Sequence, residues 1–439
     1  MNQNKHDETT KKRKLAQTCW GYYSTQTNNN NKLNTNAGAA MNPDDAQTQR
    51  SLLVTNWLSQ EIDTFPALKQ SLRYQLLSNL QQSLFGVVKL CWDNLTRQQV
   101  CIKVSYKKNS DAQNAISGPN VMESVRTEAA LLRFLTKQAS TSPKHNNNEK
   151  VKEALLGANH VVQFIDELED ESFHYLVTEC CDQDMLKVLL QNKETKLQSL
   201  QEQGIIHVGL PENTARVYFT QLVQAVAFLH LNQVSHIDLS IENVCLTSTG
   251  NQIKLIDFGL AILHPESPHY QSIMLSTTRS SNAVSGQSSG LRKIGFVNQT
   301  PSNSDCLFLC QPIQQSVSDK TNKQVIARPG KNRYMSPEMY AGNIVWNAYA
   351  HDCYALGVIL FMLLTGCPAY KLPIRHDKWF ELIYSGLWRT SAILNQPTAQ
   401  QMYGHLSENA IDLIDQLIKP EARRLTLKQI LAHPWVQLR

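Results

Sequence analysis

The sequence has few features that would take the protein to a membrane or out of the cell. No apolar run approaches the ~20 residues that are needed to cross a bilayer. The amino-terminal segment lacks the apolar core of a secretion signal and the glycine at position 2 that myristoylation requires. A cytoplasmic protein without a membrane partner is expected. The basic run at residues 11–14 adds the nucleus as a second location, although such runs are more often simply solvated.

The sequence also lacks cysteine pairs with the spacing of a disulfide framework or a zinc site, and it has no strong excess of charge of either sign. None of its ten cysteines has paired C-x-x-C spacing. Cys306 and Cys310 come nearest, but no second pair or histidine cluster completes a zinc site, so reduced thiols are predicted. A formal net charge of +5 is small for 439 residues. Nucleic acid is therefore not an expected partner. As a separate expectation, the chain is a monomer.

Polar, low-complexity segments take up much of the length. Residues 1–50 are rich in Asn, Gln and Thr, which predicts a disordered tail. Residues 51–73 have apolar positions at helical spacing, so we predict a helical extension that is broken before Pro66. Residues 265–328 are rich in Ser, Asn and Gln, which predicts a disordered insert.

The stretch at residues 236–259 has the composition of a chemical site. It consists of two strand-like apolar runs with a carboxylate at one end of each. Asp238 can accept a proton from a hydroxyl, while Asn243 and Asp257 are hard oxygen ligands suited to Mg²⁺ on a polyphosphate. These residue types favour phosphoryl transfer.

The order of these residues resembles that of a known family. H-x-D-L-x-x-x-N followed by D-F-G resembles the catalytic and metal-binding loops of eukaryotic protein kinases, and V-C-I-K at residues 100–103 resembles their V-A-I-K strand. The helix predicted at residues 212–230 is similar to that of calcium/calmodulin-dependent-kinase-like enzymes. The resemblance implies an α+β, bilobal fold at residues 74–436. Its small antiparallel β lobe would span residues 74–179, and its large, mainly helical lobe residues 182–436.

The resemblance also implies the roles of the charged residues. Lys103 would neutralise the α- and β-phosphates of ATP and pair with a glutamate on the next helix. Glu128 is the first choice for this partner, and Glu123 is the alternative. Asp238 would be the catalytic base, with Asn243 and Asp257 as the Mg²⁺ ligands.

A nucleotide pocket is implied between the two lobes. Thr178 would be the gatekeeper beside adenine, and the backbone of residues 179–181 would bind the adenine edge. The cysteines above and below adenine would be soft packing groups. Asp184 would begin the next helix as its N-cap or reach the ribose or a cation of the substrate. The residues implied to contact the nucleotide are Gly86, Val88, Cys101, Lys103, Glu128, Thr178, Glu179, Cys181, Asp184 and Cys245.

Several positions depart from the family pattern. Gln81 and Ser83 replace the first two glycines of the loop that covers the phosphates. Ile237 replaces the arginine that binds a phosphate on the activation segment, so activity should depend less on that phosphate. Ser240 replaces a lysine that contacts the γ-phosphate, and Lys331 stands where the family has a threonine. We hypothesise that Lys331 and Ser240 have exchanged roles; the alternative is that Lys331 is solvated.

The resemblance implies three supporting contacts as well. His236 would lie under Phe258 as a structural residue. Asp352 would accept backbone N–H groups of the catalytic loop, and Glu338 would form a buried pair with Arg424.

These features together predict a serine/threonine protein kinase that uses Mg-ATP. The alternative is a pseudokinase or binding scaffold, because Gln81, Ser83 and Ser240 stand where the family handles phosphate. Acidic residues Glu242 and Asp184 favour protein substrates with basic residues before the target Ser or Thr. The catalytic loop lacks the D-L-A-A-R-N pattern of tyrosine-specific enzymes.

Overall fold

The computed structural model describes eight parts of the chain. They are residues 65–112, 122–140, 156–203, 208–278, 307–309, 329–342, 345–389 and 403–438. The tail predicted at residues 1–50 lies outside the described residues, as do residues 51–64 and most of the insert.

A five-stranded antiparallel sheet forms the smaller of the two lobes. Its strand order is β1-β2-β3-β5-β4, which agrees with the predicted antiparallel lobe. Alternate residues of β2 are buried, as expected of a strand with one face on a core. The strands are β1 (Tyr74–Gln82), β2 (Gly86–Asp93), β3 (Gln98–Tyr106), β4 (Phe164–Glu169) and β5 (Phe173–Glu179).

Three helices accompany this sheet. They are α1 (Pro66–Ser71), α2 (Lys107–Asp111) and α3 (Val125–Ser140). Phe65 and Leu68 are fully buried against the sheet. A break before Pro66 was predicted, but α1 begins there, because proline fits the first turn of a helix, where its missing N–H has no partner to lose.

The larger lobe is mainly helical, as predicted. Its helices are α4 (Met185–Gln203), α5 (Glu212–Leu231), α6 (Tyr270–Thr278), α7 (Pro337–Tyr340), α8 (Ala348–Thr365), α9 (Lys378–Tyr384), α10 (Glu408–Leu417), α11 (Leu427–Leu431) and α12 (Pro434–Gln437). Two small sheets join β6 (Gln183–Asp184) to β8 (Val244–Leu246) and β9 (Ile253–Leu255), and β7 (Val234–Ser235) to β10 (Ile262–Leu263).

Helix α8 is the central element of this lobe. By length and composition it could cross a membrane, which corrects the expectation that no run is long enough. However, 89% of its 18 residues are buried inside the protein, as in the core helix of a soluble protein. It is the one such helix among the described residues.

Strand β4 begins later than the sequence predicts. The alternation of residues in 160–164 predicts a strand from His160. Instead, Gly157–His160 forms a 3-10 turn and β4 starts at Phe164. A Cβ on Gly157 would collide with the carbonyl oxygen of Gln224 in α5. This close contact with the large lobe keeps residues 157–160 out of the sheet, and strand periodicity cannot report it.

Part of the predicted disordered insert is ordered. Helix α6 lies within residues 265–328 and packs against α3, with Ile273 buried. A short strand, β11 (Leu307–Leu309), pairs with β12 (Val345–Asn347). The composition of residues 265–328 as a whole is polar, so it does not indicate the short apolar segments in α6 and β11. The prediction of disorder is therefore wrong for these two elements. The rest of the insert lies outside the described residues.

Candidate active site

A short hairpin brings the two candidate metal ligands together. β8 and β9 are antiparallel, with Val244 opposite Leu255. The residue before β8 therefore lies beside the residues that follow β9. The Ile256 N–H donates to the carbonyl oxygen of Asn243 at 2.9 Å, and Asp257 comes next in the chain. Asn243 and Asp257 thus meet at one end of the hairpin.

Asn243 also fixes the orientation of Asp238. Its amide nitrogen donates to the main-chain carbonyl of Asp238 at 2.8 Å and to the Asp238 carboxylate at 3.0 Å. Both amide N–H groups are used in this way, and the amide oxygen is left as an acceptor. The candidate base is thereby held in one position beside a candidate metal ligand.

Lys103 connects the two lobes at this point. Its Nζ lies 2.8 Å from Glu128 Oε2 and 3.1 Å from Asp257 Oδ1. The lysine comes from β3, the glutamate from α3 and the aspartate from the segment after β9. Glu128 is therefore the partner of Lys103. The alternative, Glu123, has its carboxylate against Gly259.

Opposite charges keep Lys103 and Asp257 ionised. Burial disfavours the charged form of Lys103, but the carboxylates of Asp257 and Glu128 outweigh this and raise its pKa well above the usual value. Burial likewise disfavours the Asp257 anion, but the ammonium groups of Lys103 and Lys331 hold its pKa at about 2. At neutral pH the cleft therefore contains ammonium groups for phosphate and a carboxylate for a divalent cation.

Lys331 is paired with the candidate base. Its Nζ donates to Asp238 Oδ2 at 2.6 Å and to Ser240 Oγ at 3.0 Å, and its backbone N–H donates to Asp238 Oδ1 at 3.1 Å. The preceding Gly330 has φ of +90°, and a Cβ there would lie 3.2 Å from Asp238 Oδ1, so glycine suits this close approach. Lys331 is thus not merely solvated, and the groups of the exchange hypothesis are in contact.

Two residues of the site have left-handed backbone, one in the catalytic loop and one in the segment after β9. The φ angle is +69° at Ile237 and +64° at Asp257. A positive φ is especially unusual for isoleucine, which is β-branched. The Asp352 carboxylate accepts the N–H groups of His236 and Ile237, each at 3.0 Å. The prediction for Asp352 is confirmed, and its contacts hold the loop in this conformation.

Sequence reasoning missed a second support of this loop. His351 lies between the loop and the segment that contains Ser336: its Nδ1 accepts the Ser336 N–H at 3.3 Å and its Nε2 donates to the Ile237 carbonyl at 2.9 Å. Burial lowers the pKa of His351 and favours the neutral ring, which can accept at one nitrogen and donate at the other. Its position directly before Asp352 is the one signal in the sequence.

The other two supporting contacts are confirmed. The rings of His236 and Phe258 have centroids 4.8 Å apart. Arg424 donates to both carboxylate oxygens of Glu338, at 2.8 and 3.2 Å, and its side chain is 1% exposed. This buried pair joins α7 to the segment between α10 and α11.

The small-lobe residues of the nucleotide pocket lie on β2 and β3. Val88 is opposite Lys103 in the register of the two strands. A Cβ on Gly86 would collide with the carbonyl oxygen of Val104, so close packing of the strands already requires this glycine. Ser83, at a former glycine position, donates its N–H to the Gly86 carbonyl at 2.9 Å and closes the turn.

The hinge candidates are the last two residues of β5 and the two residues that follow this strand. Thr178 lies opposite Cys101. The Glu179 N–H donates to the Gln163 carbonyl at 3.1 Å, so an adenine contact at this residue would use its carbonyl oxygen. The Glu179 carboxylate pairs with Lys254 Nζ at 2.7 Å, a contact with the large lobe that sequence reasoning missed.

Neighbouring thiols and burial favour the neutral form of two cysteines at the hinge. The Cys180 thiol and burial raise the pKa of Cys101, and the Cys245 thiol and burial raise the pKa of Cys181. Cys180 Sγ donates to the carbonyl oxygen of Cys181 at 3.4 Å. Every cysteine in the described part of the chain is a free thiol, as expected.

Two acidic residues of the predicted substrate side have structural partners. Asp184 accepts the Lys187 N–H at 2.8 Å and so caps α4, as one of its two predicted roles requires. The Glu242 carboxylate accepts the Tyr334 hydroxyl at 2.9 Å. Tyr334 was not singled out from the sequence.

Comparison with known proteins agrees with this geometry. The protein kinase domain family matches residues 135–284 and 314–436, which is more than half of the chain. A probable serine/threonine-protein kinase HSL1 of Saccharomyces cerevisiae is 26% identical over 83% of the chain and 19% of its own length. Calcium-dependent protein kinase 3 of Oryza sativa subsp. japonica is 24% identical over 83% of the chain and 47% of its own length.

A human relative gives the same result. SNF-related serine/threonine-protein kinase is 23% identical over 83% of the chain and 33% of its own length. The chain spans less than half the length of these curated relatives. The bilobal architecture and the family match over more than half of the sequence show that the chain belongs to the protein kinase domain family.

Proposed function

We propose that the protein is a serine/threonine protein kinase, which transfers the γ-phosphoryl group of Mg-ATP to hydroxyl groups of proteins. The observation that carries this proposal is the position of Lys103, which bridges Glu128 of the small lobe and Asp257 of the large lobe. This arrangement places an ammonium and a carboxylate on the two sides of one cleft, beside Asp238 and Asn243.

The residues present fit a magnesium ion. Asn243 has an amide oxygen left as an acceptor, and Asp257 has an ionised carboxylate that is 34% exposed. Two oxygen ligands from the protein suit Mg²⁺, which takes its remaining ligands from phosphate and water. When bound there, the ion would neutralise charge that develops on the phosphate oxygens.

The protein groups have separate tasks in the transfer. Asp238 takes the proton of the substrate hydroxyl as the hydroxyl oxygen forms its bond to the γ-phosphorus and the bond to the β-phosphate oxygen breaks. Lys103 holds the α- and β-phosphates, and Glu128 keeps its ammonium in position. Asn243 keeps the Asp238 carboxylate directed toward the reacting atoms.

Lys331 and Ser240 complete the site. An ammonium has three donors, and two of those on Lys331 are used by Asp238 and Ser240. The third is left for an oxygen of the γ-phosphoryl group, so Lys331 supplies the cation that residue 240 supplies in the family. Ser240 supplies the hydroxyl.

Substrates with basic residues before the target Ser or Thr fit the acidic side of the site. Glu242 lies two residues from Ser240, and the Asp184 side chain is 20% exposed at the start of α4. Their negative charge favours a cationic peptide. The protein acts as a monomer in this proposal.

The test uses the full chain and an Asp238→Asn variant. Each is incubated with labelled Mg-ATP and a basic protein substrate, and label on serine and threonine is measured. Label transferred by the natural chain alone supports the kinase. If neither protein transfers label while both bind nucleotide, the protein is a binding scaffold and the proposal is wrong.

A further inference from the structure

Four cysteines lie where the two lobes meet at the proposed nucleotide pocket. Cys101 belongs to β3 of the small lobe and Cys245 to β8 of the large lobe. Cys180 and Cys181 follow β5 in the segment that connects the lobes. All four are free thiols. Because the proposed phosphoryl transfer does not use a thiol, their chemistry is available for another role.

The strand register places Cys180 beside Cys101. Cys101 lies opposite Thr178 in the pairing of β3 with β5. Alternate residues of a strand share one face, so Cys180, two residues after Thr178, lies on the same face as Cys101. Since β5 ends at Glu179, Cys180 lies beyond the strand and can approach Cys101 without breaking a strand pair. A disulfide, which needs Cβ atoms about 3.5–4.5 Å apart, is therefore compatible with the backbone.

This face of β3 is the one that faces the cleft. Lys103 follows Cys101 by two residues on the same strand, so the two side chains share a face. The ammonium of Lys103 reaches Asp257 of the large lobe at 3.1 Å. Cys101 therefore lies on the wall of the cleft, and a bond to its sulfur changes the surface that an adenine ring would contact.

Cys180 is the more reactive thiol of this pair. Its side chain is partly exposed, so a small oxidant can reach it. The neighbouring Cys101 thiol outweighs burial and lowers the pKa of Cys180, whereas the pKa of Cys101 is raised. A lower pKa gives a larger fraction of thiolate at neutral pH, and the thiolate is the nucleophile. Cys180 therefore reacts first, and Cys101 is the second thiol that such a reaction requires.

The other two cysteines are less suited to the same reaction. Cys245 is only 7% exposed, which limits access of an oxidant. The Cys245 thiol and burial raise the pKa of Cys181, which lowers its fraction of thiolate. The reaction is therefore assigned to Cys180 and Cys101.

We propose that hydrogen peroxide oxidises Cys180, which then forms a disulfide with Cys101 that weakens nucleotide binding. In the first step the Cys180 thiolate bonds to one peroxide oxygen, the O–O bond breaks, and the departing hydroxide takes up a proton to give water. In the second step the Cys101 sulfur bonds to the Cys180 sulfur and the S–O bond breaks. The hydroxide leaves with the Cys101 proton as a second water. The thiols lose two electrons and the peroxide gains them.

The disulfide joins β3 to the segment between the lobes. It draws the Cys101 sulfur toward Cys180 and so alters the pocket wall, and reduction by a thiol reverses the change. The effect on nucleotide binding rests on the proposed function. Formation of the disulfide does not, because it requires no phosphoryl transfer.

Peptide mapping of the full chain tests the disulfide. The chain is treated with hydrogen peroxide, its remaining thiols are alkylated, and it is digested with trypsin without a reductant. Cys101 then lies in the peptide 98–103 and Cys180 in the peptide 153–187. We expect mass spectrometry to find these two peptides linked, and Cys180→Ser should abolish the link.

Cys181→Ser is the matched control for this mapping. It leaves Cys180 as the single cysteine of residues 153–187, so a link in this chain assigns the bond to Cys180. If peroxide produces no link, or if the link persists in Cys180→Ser and is lost in Cys181→Ser, the proposal is wrong.

Binding of a slowly hydrolysed Mg-ATP analogue tests the consequence. Peroxide should raise its Kd by about tenfold or more, because contacts with the displaced wall are lost, and dithiothreitol should restore the original value. The Kd of Cys180→Ser should not respond to peroxide. An unchanged Kd in the linked chain overturns the effect on binding. A reduced chain that does not bind the analogue contradicts the proposed function, whereas the linked peptide still supports the oxidation.

Discussion

At the scale of single residues, the unusual feature is the cation beside the base. Lys331 comes from the segment before α7, while the residue that usually supplies this charge belongs to the catalytic loop. The ammonium is 2.6 Å from Asp238 and 3.0 Å from Ser240, and burial fails to neutralise it because the Asp238 carboxylate raises the pKa of Lys331. Two positions far apart in sequence therefore meet at one carboxylate.

The proposed exchange of roles between Lys331 and Ser240 predicts that mutation can reverse it. Lys331→Thr should lower kcat by about 10²- to 10³-fold, as does loss of one donor that stabilises a transition state. Lys331→Thr combined with Ser240→Lys should return kcat to within about tenfold of the natural chain, because the ammonium reaches the same place from the loop. Steady-state kinetics with separate kcat and KM values provides the measurement.

Two controls accompany this experiment. Thermal denaturation shows whether each variant is folded, and Lys428→Thr removes an exposed lysine of α11 that has no role in the candidate site. If Lys331→Thr leaves kcat unchanged, or if the double variant is no better than the single one, the exchange hypothesis fails.

At the scale of elements, the small-lobe sheet depends on one buried charge. Asp93 at the end of β2 is fully buried and accepts two hydrogen bonds from Arg73, at 2.9 and 2.7 Å. Arg73 also donates to Asp166 of β4 at 2.9 Å. One guanidinium thus ties together the start of β1, the end of β2 and β4.

Removal of this guanidinium should destabilise the lobe. Arg73→Met leaves the Asp93 carboxylate buried without its cation, which costs about 3–5 kcal/mol. Chemical denaturation at pH 7 measures the loss. Arg126→Met, which removes a pair with the exposed Glu169, is the matched control and should change stability by less than about 1 kcal/mol. Equal effects of the two changes would contradict this account.

The same pair predicts the response to acid. Hydrogen bonds from Arg73 outweigh burial and hold the pKa of Asp93 below its usual value of 3.8. An acid with a lowered pKa in the folded state contributes stability above its unfolded pKa and loses it as pH falls below that value. The melting temperature of the natural chain should therefore fall more steeply below pH 4 than that of Arg73→Met. Parallel curves would show that Asp93 does not contribute.

At the scale of the whole molecule, the proposed nucleotide site joins the two lobes. Lys103 belongs to the small lobe and Asp257 to the large lobe, and each lobe has its own apolar core. A ligand that contacts both residues binds the folded protein and not the unfolded chain, so it should stabilise the fold.

A slowly hydrolysed Mg-ATP analogue tests this property without turnover. At one hundred times its Kd the analogue should stabilise the natural chain by about 2.7 kcal/mol, measured by chemical denaturation. Asp257→Asn and Lys103→Met should lose most of this effect at the same concentration. Asp238→Asn should keep it, because Asp238 acts on the substrate hydroxyl. Full stabilisation of Asp257→Asn would contradict the assigned metal and phosphate contacts.

The resemblance to the protein kinase family predicted a large part of the fold and the charged centre of the site. It implied the antiparallel small lobe, the helical large lobe, the Lys103–Glu128 pair and the Glu338–Arg424 pair, and the structure contains all four. The residues alone indicated only which groups could act as a base or as oxygen ligands of a metal ion.

Other features depended on packing that no local pattern reports. The late start of β4 follows from the contact of Gly157 with α5. Helix α6 is ordered because Ile273 is buried in the core beside α3. His351 needs both the catalytic loop and the segment after it as partners.

The sequence by itself determined which groups are available for catalysis: a base, two oxygen ligands and a lysine on a strand. Only the tertiary structure decided how these groups are arranged and that Lys331, 93 positions away in the sequence, donates to the Asp238 carboxylate. The physical reason is that residue spacing fixes geometry within a helix or strand, whereas distant elements are placed by the burial of apolar surface and by the pairing of buried charges.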